Sequence, residues 1–492
     1  MHQKVKKMKK SETKTKIVKF LVFLWVAVAL LATPGCEKKD NPSPENNEYE
    51  EINDWILENM QVYYLWNTQI PKKTDKTLYP ADYFESLLYR TEDKFSWIQE
   101  NFIELMNYLS GINTEAGYEY GLFTEDNKLV YGFIAYIKPG TSAEKAGLKR
   151  GDFFSSINGT AMTMDNYQEL LSKISQPHTL GIIDFTTGAT RTVSLQVVVY
   201  AENPILLDTI YHIGNKKIGY FVYNFFARDS DPLGVAYEKE LNDLFGKYNA
   251  EKIDDLIIDL RYNSGGAVST AEVLSSMISN RTTTDIMGYM KYNALVDKEL
   301  SNYYGKDYNV LFFPDNIDRY DKDDKLVEEI KINKMENLNK VHLIVTRNTA
   351  SASELIVNCL KPYMPVVLIG DVTRGKNVGS ITIYEEDEEK QKTNTWGMQP
   401  IILKLENKDH FSDYGKGFTP DVKVESEIER GMRELGDIDE LMLSAALDHI
   451  LGRSPLRKTS VTLDAQMVGS SIDRISVGKG MFFNPRFFRR TK

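Results

Sequence analysis

Asn348-Thr349-Ala350-Ser351-Ala352-Ser353-Glu354 follows the apolar run Leu343-Ile344-Val345 and opens a helical run, Glu354-Leu355-Ile356-Val357. A strand that turns directly into a helix is a unit of a layered α/β core. The same pattern occurs upstream. Asp255-Leu256-Ile257-Ile258-Asp259-Leu260-Arg261 is nearly continuous in apolar character, as a buried strand is. It ends in Tyr262-Asn263-Ser264-Gly265-Gly266, and a helix is expected from Ser269 to Ile278. Downstream, the strand Val366-Val367-Leu368-Ile369-Gly370 leads to Arg374-Gly375-Lys376 and returns the lysine toward Ser351. A serine on such a turn exposes its hydroxyl, and the next backbone N–H faces a developing oxyanion. Lysine can act as its base only when neutral, and burial lowers a lysine pKa by up to about 3–5 units.

The order Ser-Ala-Ser-Glu, apolar strand, Gly-Lys resembles the C-terminal processing (tail-specific) serine peptidases, peptidase family S41, whose active site is a Ser-Lys dyad. The resemblance implies Ser351 as nucleophile and Lys376 as base. Asp259-Leu260-Arg261-x-Asn263-x-Gly265-Gly266 is similar to the family's second signature. It implies an oxyanion hole from Gly265 or Gly266 N–H together with Ala352 N–H. Asp259 and Arg261 read as an ion pair that holds the turn. Glu354, three residues after Ser351, echoes a capping box, and in the family this glutamate is linked to activity. The family commonly carries glutamine four residues after the lysine to orient its amine. Ser380 stands there, a shorter group, and Asn377 replaces the usual glycine. Gly417-Phe418-Thr419-Pro420-Asp421 is similar to the closing motif and is expected to fix the edge of the site, with Pro420 ending a strand. The implied fold is multidomain α/β: a ClpP/crotonase-like peptidase core with a PDZ domain and a small N-terminal helical domain.

The chain divides accordingly: residues 1–35 signal peptide, 36–48 polar tether, 49–109 helical domain, 110–200 PDZ domain, 205–450 peptidase domain and 451–492 basic tail. Ile52, Trp55, Ile56 and Met60 recur at helical spacing, and the aromatics Tyr63 to Trp66 read as core. In the PDZ segment, Gly140 to Asp152 reads as a short helix and turn, and Asn158-Gly159 is a hairpin signal. PDZ domains add peptide C-termini as an extra strand. Glu119 to Phe123 or Tyr131 to Phe133 are the candidate carboxylate-holding stretches. Ser142-Ala143-Glu144-Lys145 matches S-x-x-K, but its companion motifs are absent and the PDZ helix accounts for it. Residues 283–340 read as an irregular insertion. Glu385 to Glu389 read as a solvated hairpin tip, His342 as a core or edge residue of the strand before Ser351, and His410 as part of a polar loop.

Lysines crowd positions 4 to 19, an apolar run spans Phe20 to Thr33, and Thr33-Pro34-Gly35-Cys36 follows. The run is short for a membrane span, which needs roughly 20 residues. It resembles a bacterial lipoprotein signal with Cys36 as the acylated residue. The expected location is the bacterial cell envelope, as an outer-membrane lipoprotein facing the periplasm or the cell surface, held to the lipid bilayer through acylated Cys36. A plain secretory signal or an uncleaved anchor is the alternative. Cys359, the other cysteine, reads as a buried core residue. Net charge is −10. Residues 1–35 hold eight lysines and one glutamate, so the remainder carries −10 − 7 = −17. That acidity argues against nucleic-acid binding. The exception is the tail after residue 452, with nine Lys/Arg against Asp464 and Asp473, expected to be solvated or loosely docked. No metal, nucleotide or other cofactor motif occurs. The expectation is a serine endopeptidase acting on exported polypeptides with free C-termini. The alternative is a catalytically inactive peptide- or ligand-binding protein on the same scaffold.

Overall fold

The computed structural model describes residues 48–185, 187–424, 432–453, 466–472 and 481–483. The leader, Cys36 and nearly all of the tether lie outside these residues.

Three helices build the N-terminal part: α1 (Glu50–Tyr63), α2 (Pro80–Leu87) and α3 (Phe102–Leu109). Pro80 occupies the first turn of α2, where its missing N–H costs nothing. Asn101 caps α3 by accepting the Ile103 and Glu104 N–H groups. Ile56 and Met60 are buried with Tyr64, Tyr83, Phe84 and Leu87, so the aromatic cluster is core. The Tyr64 hydroxyl donates to Asp93 at 2.9 Å.

The next part is an antiparallel sheet of β1 (Tyr118–Thr124), β2 (Tyr131–Ile137), β3 (Phe153–Ile157), β4 (His178–Ile183) and β5 (Thr190–Leu195), in that spatial order. The Ser142–Lys145 helix and the Asn158-Gly159 turn fall where expected. Both stretches named as candidates for holding a carboxylate lie in strands. Glu119 to Phe123 lies in β1 and Tyr131 to Phe133 in β2, paired with each other. Every residue of β1 is buried, which favours a ladder over an open loop.

The C-terminal half supplies β6 (Ile205–Ile213), β7 (Lys216–Tyr223), β8 (Asp255–Asp259), β9 (Val341–Val345), β10 (Val366–Gly370), β11 (Val378–Ile381), β12 (Ile401–Asn407) and β13 (Val422–Lys423). One sheet has the order β6-β7-β8-β9-β10-β13, parallel from β7 onward, with β6 antiparallel at its edge. Helices packed on it include α4 (Val268–Ser279), α5 (Ala352–Leu360) and α6 (Leu441–Leu451), besides the helix Ala236–Glu251. Alternate residues on a strand face opposite sides. Leu256 and Ile258 pack with Leu274, Leu355 and Ile356 of α4 and α5. Ile257, Ile344 and Ile369 pack with Met442, Leu443 and Leu447 of α6. A strand buried on both faces must be apolar throughout, which explains the unbroken apolar runs.

The segment 283–340 is not irregular. Strand Ile286–Tyr292 pairs with β12, helix Ala294–Tyr304 follows, and Asn316–Tyr320 forms a hairpin with Leu326–Lys331. Its many Tyr, Asp and Lys residues hid the fact that Met287, Met290, Phe313 and Ile317 are buried in the main core. Pro420 precedes β13 rather than ending a strand. Its missing N–H suits a position just outside a ladder.

The basic tail departs most from expectation. Its described pieces are strands: β14 (Gln466–Ser470), antiparallel to β1, and β15 (Phe482–Phe483), parallel to β11. Both β1 and β11 would otherwise present unpaired backbone groups at a sheet edge, and the tail completes those ladders.

Candidate active site

Beyond β8 the chain turns at Arg261, whose guanidinium is fully buried. It grips Asp259 (2.7 Å) and Glu440 at the start of α6 (2.6 Å). Burial works against the Glu440 carboxylate, but Arg261 holds its pKa down to about 2. This buried network positions the loop that carries Asn263 and the two glycines.

Ser351 sits between β9 and α5, as the N-cap of that helix, and its backbone is left-handed, φ 63° and ψ −113°. A non-glycine residue held there costs on the order of 1–3 kcal/mol and needs its surroundings to enforce it. Three hydrogen bonds do so. Ala350 N–H donates to Asn263 O (3.1 Å), Leu355 N–H to Ser351 O (2.8 Å) and Ser351 N–H to the Glu354 carboxylate (2.9 Å).

Glu354 forms the expected capping box, and it also ties the site together. Its Oε2 accepts the N–H groups of Ser351 (2.9 Å) and Lys376 (2.8 Å). Its Oε1 accepts Gly375 N–H (2.7 Å) and the Thr373 hydroxyl (2.6 Å). One fully buried carboxylate therefore sets the backbones of Ser351 and Lys376 at a common oxygen. Thr373 in turn accepts the Phe418 N–H at 2.7 Å, which clamps the closing motif onto the lysine loop.

Lys376 is 2 % exposed. Its ammonium nitrogen lies 4.8 Å from the centroid of the Phe95 ring and takes no hydrogen bond or ion pair among the described residues. Burial brings its pKa down from 10.5 to about 8; Arg374 adds to this, while Asp93 and Glu354 oppose it. No hydrogen bond joins Ser351 Oγ to Lys376 Nζ. Ser351 Oγ instead accepts the N–H of Met481.

Among the glycines, the Gly265 N–H is already used, donating to Asn263 Oδ1 at 2.8 Å. The N–H groups of Gly266 and Ala352 have no partner among the described residues. Gly265 is nonetheless required in place. Its φ is +111°, and a Cβ there would lie 2.7 Å from Ser351 Cβ and 3.1 Å from Ala352 N. Gly265→Ala is therefore expected to lower kcat on the order of 10²-fold, the scale of losing one oxyanion donor. A peptidase assay on the folded variant checks this, and an unimpaired enzyme would refute it.

No hydrogen bond joins Ser380 to Lys376. Its hydroxyl donates to Gln399 Oε1 at 2.6 Å, and its N–H donates to Met481 O at 3.0 Å. Sequence reasoning missed Asp93, Phe95 and Met481. The first two come from the N-terminal helical part, far away in sequence, and neither belongs to a motif. Cys359 is fully buried, which pushes its thiol pKa up. His342 is fully buried on β9, and burial lowers its pKa to about 4. No cluster of metal-ligating side chains occurs among the described residues.

The strained serine, the buried lysine and the glycine turn gather at the ends of parallel strands, and sequence comparison shows what the chain resembles. The profile of Peptidase family S41 matches residues 217–424, that of the Peptidase S41 N-terminal domain residues 51–97, and that of the PDZ domain residues 133–182. The match to peptidase family S41 thus lies in the parallel-sheet part, with the match to that family's N-terminal domain ahead of it. It is 22 % identical over 284 residues to a protein described as a CtpA-like serine protease from Staphylococcus saprophyticus, covering 58 % of this chain and 48 % of that one. A Staphylococcus aureus protein of the same description is 22 % identical over 287 residues, covering 58 % and 49 %. The chain thus spans about half the length of these relatives. The crystal structure of an S41 protease from Bacteroides fragilis has the same fold: TM-score 0.63, 23 % identity, 85 % of this chain and 99 % of that one.

Proposed function

We propose that this protein is a serine endopeptidase with Ser351 as nucleophile and Lys376 as general base. The observation that carries the reading is the shared Glu354 oxygen, which holds a strained serine and a buried lysine, with no ion pair to that lysine among the described residues, in one site. Neutral Lys376 takes the hydroxyl proton as Ser351 Oγ attacks a peptide carbonyl. The Gly266 and Ala352 N–H groups receive the oxyanion, Lys376 protonates the leaving amine, and water releases the acyl-enzyme. Tail recruitment by the PDZ sheet is part of the proposal. What supports it is that the free edge of β1 already takes a strand. The leader and Cys36 support export and lipid anchoring in the cell envelope.

The lysine makes a pH prediction. A group with a depressed pKa is mostly protonated, and so inactive as a base, below that value. Hydrolysis of an unfolded protein such as casein should rise about tenfold per pH unit up to about 8 and level off above it. At pH 7 about a tenth of the lysine is neutral, against less than one part in a thousand for a lysine at 10.5. Absence of casein cleavage between pH 7 and 9 would overturn the function. A rate that falls with pH across that range would remove Lys376 as base.

A further inference from the structure

Two short pieces of the C-terminal tail sit on the two places a substrate must reach. β14 lies along the β1 edge of the PDZ sheet, with Gln466 opposite Thr124 and Ser470 opposite Gly121. Adding a strand at a sheet edge is how PDZ domains take peptide C-termini. Successive side chains of a strand face opposite sides, and both sides are used. Val468 packs against the PDZ core that contains Leu122 and Leu170, and Met467 against the cluster of Phe123 and Phe133. The Tyr120 N–H then donates to the Ser471 hydroxyl at 2.8 Å. Ile472 is buried in one cluster with Phe123 and Phe133 of the PDZ sheet and Tyr262 of the glycine turn. The second piece is at the nucleophile, where the Met481 N–H donates to Ser351 Oγ. Met481 O accepts the Ser380 N–H at 3.0 Å, and the Phe482 N–H donates to Gly266 O at 3.1 Å. β15 thus lies between β11 and the Gly266-Ala267 backbone, with the Met481 and Phe483 side chains in the main core.

We propose that the tail is an intramolecular inhibitor: residues 466–472 hold the PDZ edge, residues 481–483 cover Ser351, and a polypeptide substrate must displace both. The proposal rests on the Ser351–Lys376 reading above. A carbonyl carbon must come within about 3–3.5 Å of the attacking oxygen to react. The Met481 backbone engages that oxygen through a hydrogen bond, and β15 fills the strand position beside the glycine turn. The segment seated on β1 also indicates what this edge accepts from a substrate: an extended stretch with adjacent apolar residues, one for each face of the sheet. Because the tail belongs to the same chain, its local concentration is on the order of mM, so a dilute substrate meets mostly closed enzyme. A tail seated in about nine molecules of ten lowers kcat/KM about tenfold.

Casein cleavage by the full chain, with amide hydrogen exchange on the same samples, tests this. Val468→Asp sets a carboxylate against the PDZ core from a half-buried position on an edge strand, so the body should still fold. Met481→Pro removes the N–H that Ser351 accepts. Each variant should raise kcat/KM about tenfold. Val468→Asp should also speed exchange of the Phe482 amide about tenfold, although it acts at the other contact. Rates at or below the wild type's in both variants overturn inhibition and leave the peptidase assignment standing, provided the wild type cleaves casein. A gain from one variant alone, or Phe482 exchange that ignores Val468→Asp, overturns the two-point hold. No cleavage by any of the three chains removes the Ser351–Lys376 reading and the inhibition with it.

Discussion

Ser351→Ala should lower kcat for casein or peptide cleavage on the order of 10⁶-fold, and Lys376→Met should do nearly the same. Removing a serine-peptidase nucleophile typically has that effect. The physical reason is that covalent catalysis needs both partners at once. Without the hydroxyl there is no acyl-enzyme, and without the amine the hydroxyl keeps its proton. The double variant should therefore be no slower than either single variant. Additive losses would mean that the two side chains act separately and that the dyad is wrong. Methionine keeps the length and apolar stem of Lys376 inside a buried site, so folding should be preserved. Thermal unfolding of each variant checks that the lost activity is chemical. Retained casein cleavage in both single variants would exclude this site as the source of activity.

Glu354→Gln should be almost as damaging as Glu354→Ala, although it is the more conservative change. All four partners of the carboxylate are donors: three backbone N–H groups and the Thr373 hydroxyl. An amide has one acceptor oxygen and one NH₂. Whichever way it is turned, the NH₂ faces at least one backbone N–H. A rotating Thr373 hydroxyl can relieve one clash but not the one with Gly375. Each buried donor left unmade costs about 1–3 kcal/mol, so a loss of about 3 kcal/mol is expected, read as a lower urea midpoint. Because the same oxygen sets the Ser351 and Lys376 backbones, kcat should fall on the order of 10²-fold, the cost of a displacement of about 1 Å. KM should change little. A Gln variant with wild-type kcat and midpoint would show that the carboxylate is a simple helix cap.

The buried ion pairs place the site without adding much stability. Breaking a buried pair leaves a charge uncompensated, whereas replacing a whole pair by apolar groups is often neutral. Asp259, Arg261 and Glu440 are therefore best understood as fixing the turn geometry that feeds Asn263, whose carbonyl accepts the Ala350 N–H and whose side chain accepts the Gly265 N–H.

The fold class was readable wherever apolar runs were long and local. β8 and β9 are buried at every position, and the residues that follow them, a glycine pair and Ala350-Ser351, carry the turn chemistry in plain order. The helical spacing of Ile56 and Met60 and the Asn158-Gly159 turn were equally direct. The 283–340 segment was misread because its charged surface outnumbers its few buried anchors.

Local patterning in the chain was enough to specify a layered α/β core and a serine and a lysine on successive strand ends, and the resemblance to a known family added the PDZ domain. The patterned features come from periodicity and turn residues within a few positions of each other. The three-dimensional arrangement alone decided that Glu354 serves two backbones, that Phe95 and Asp93 complete the lysine's surroundings, that Gly265 spends its N–H on Asn263, and that Met481 reaches Ser351. Each of these is a hydrogen bond or contact between segments distant along the chain. Such contacts leave no period in the sequence, because a backbone N–H is the same donor whatever residue carries it.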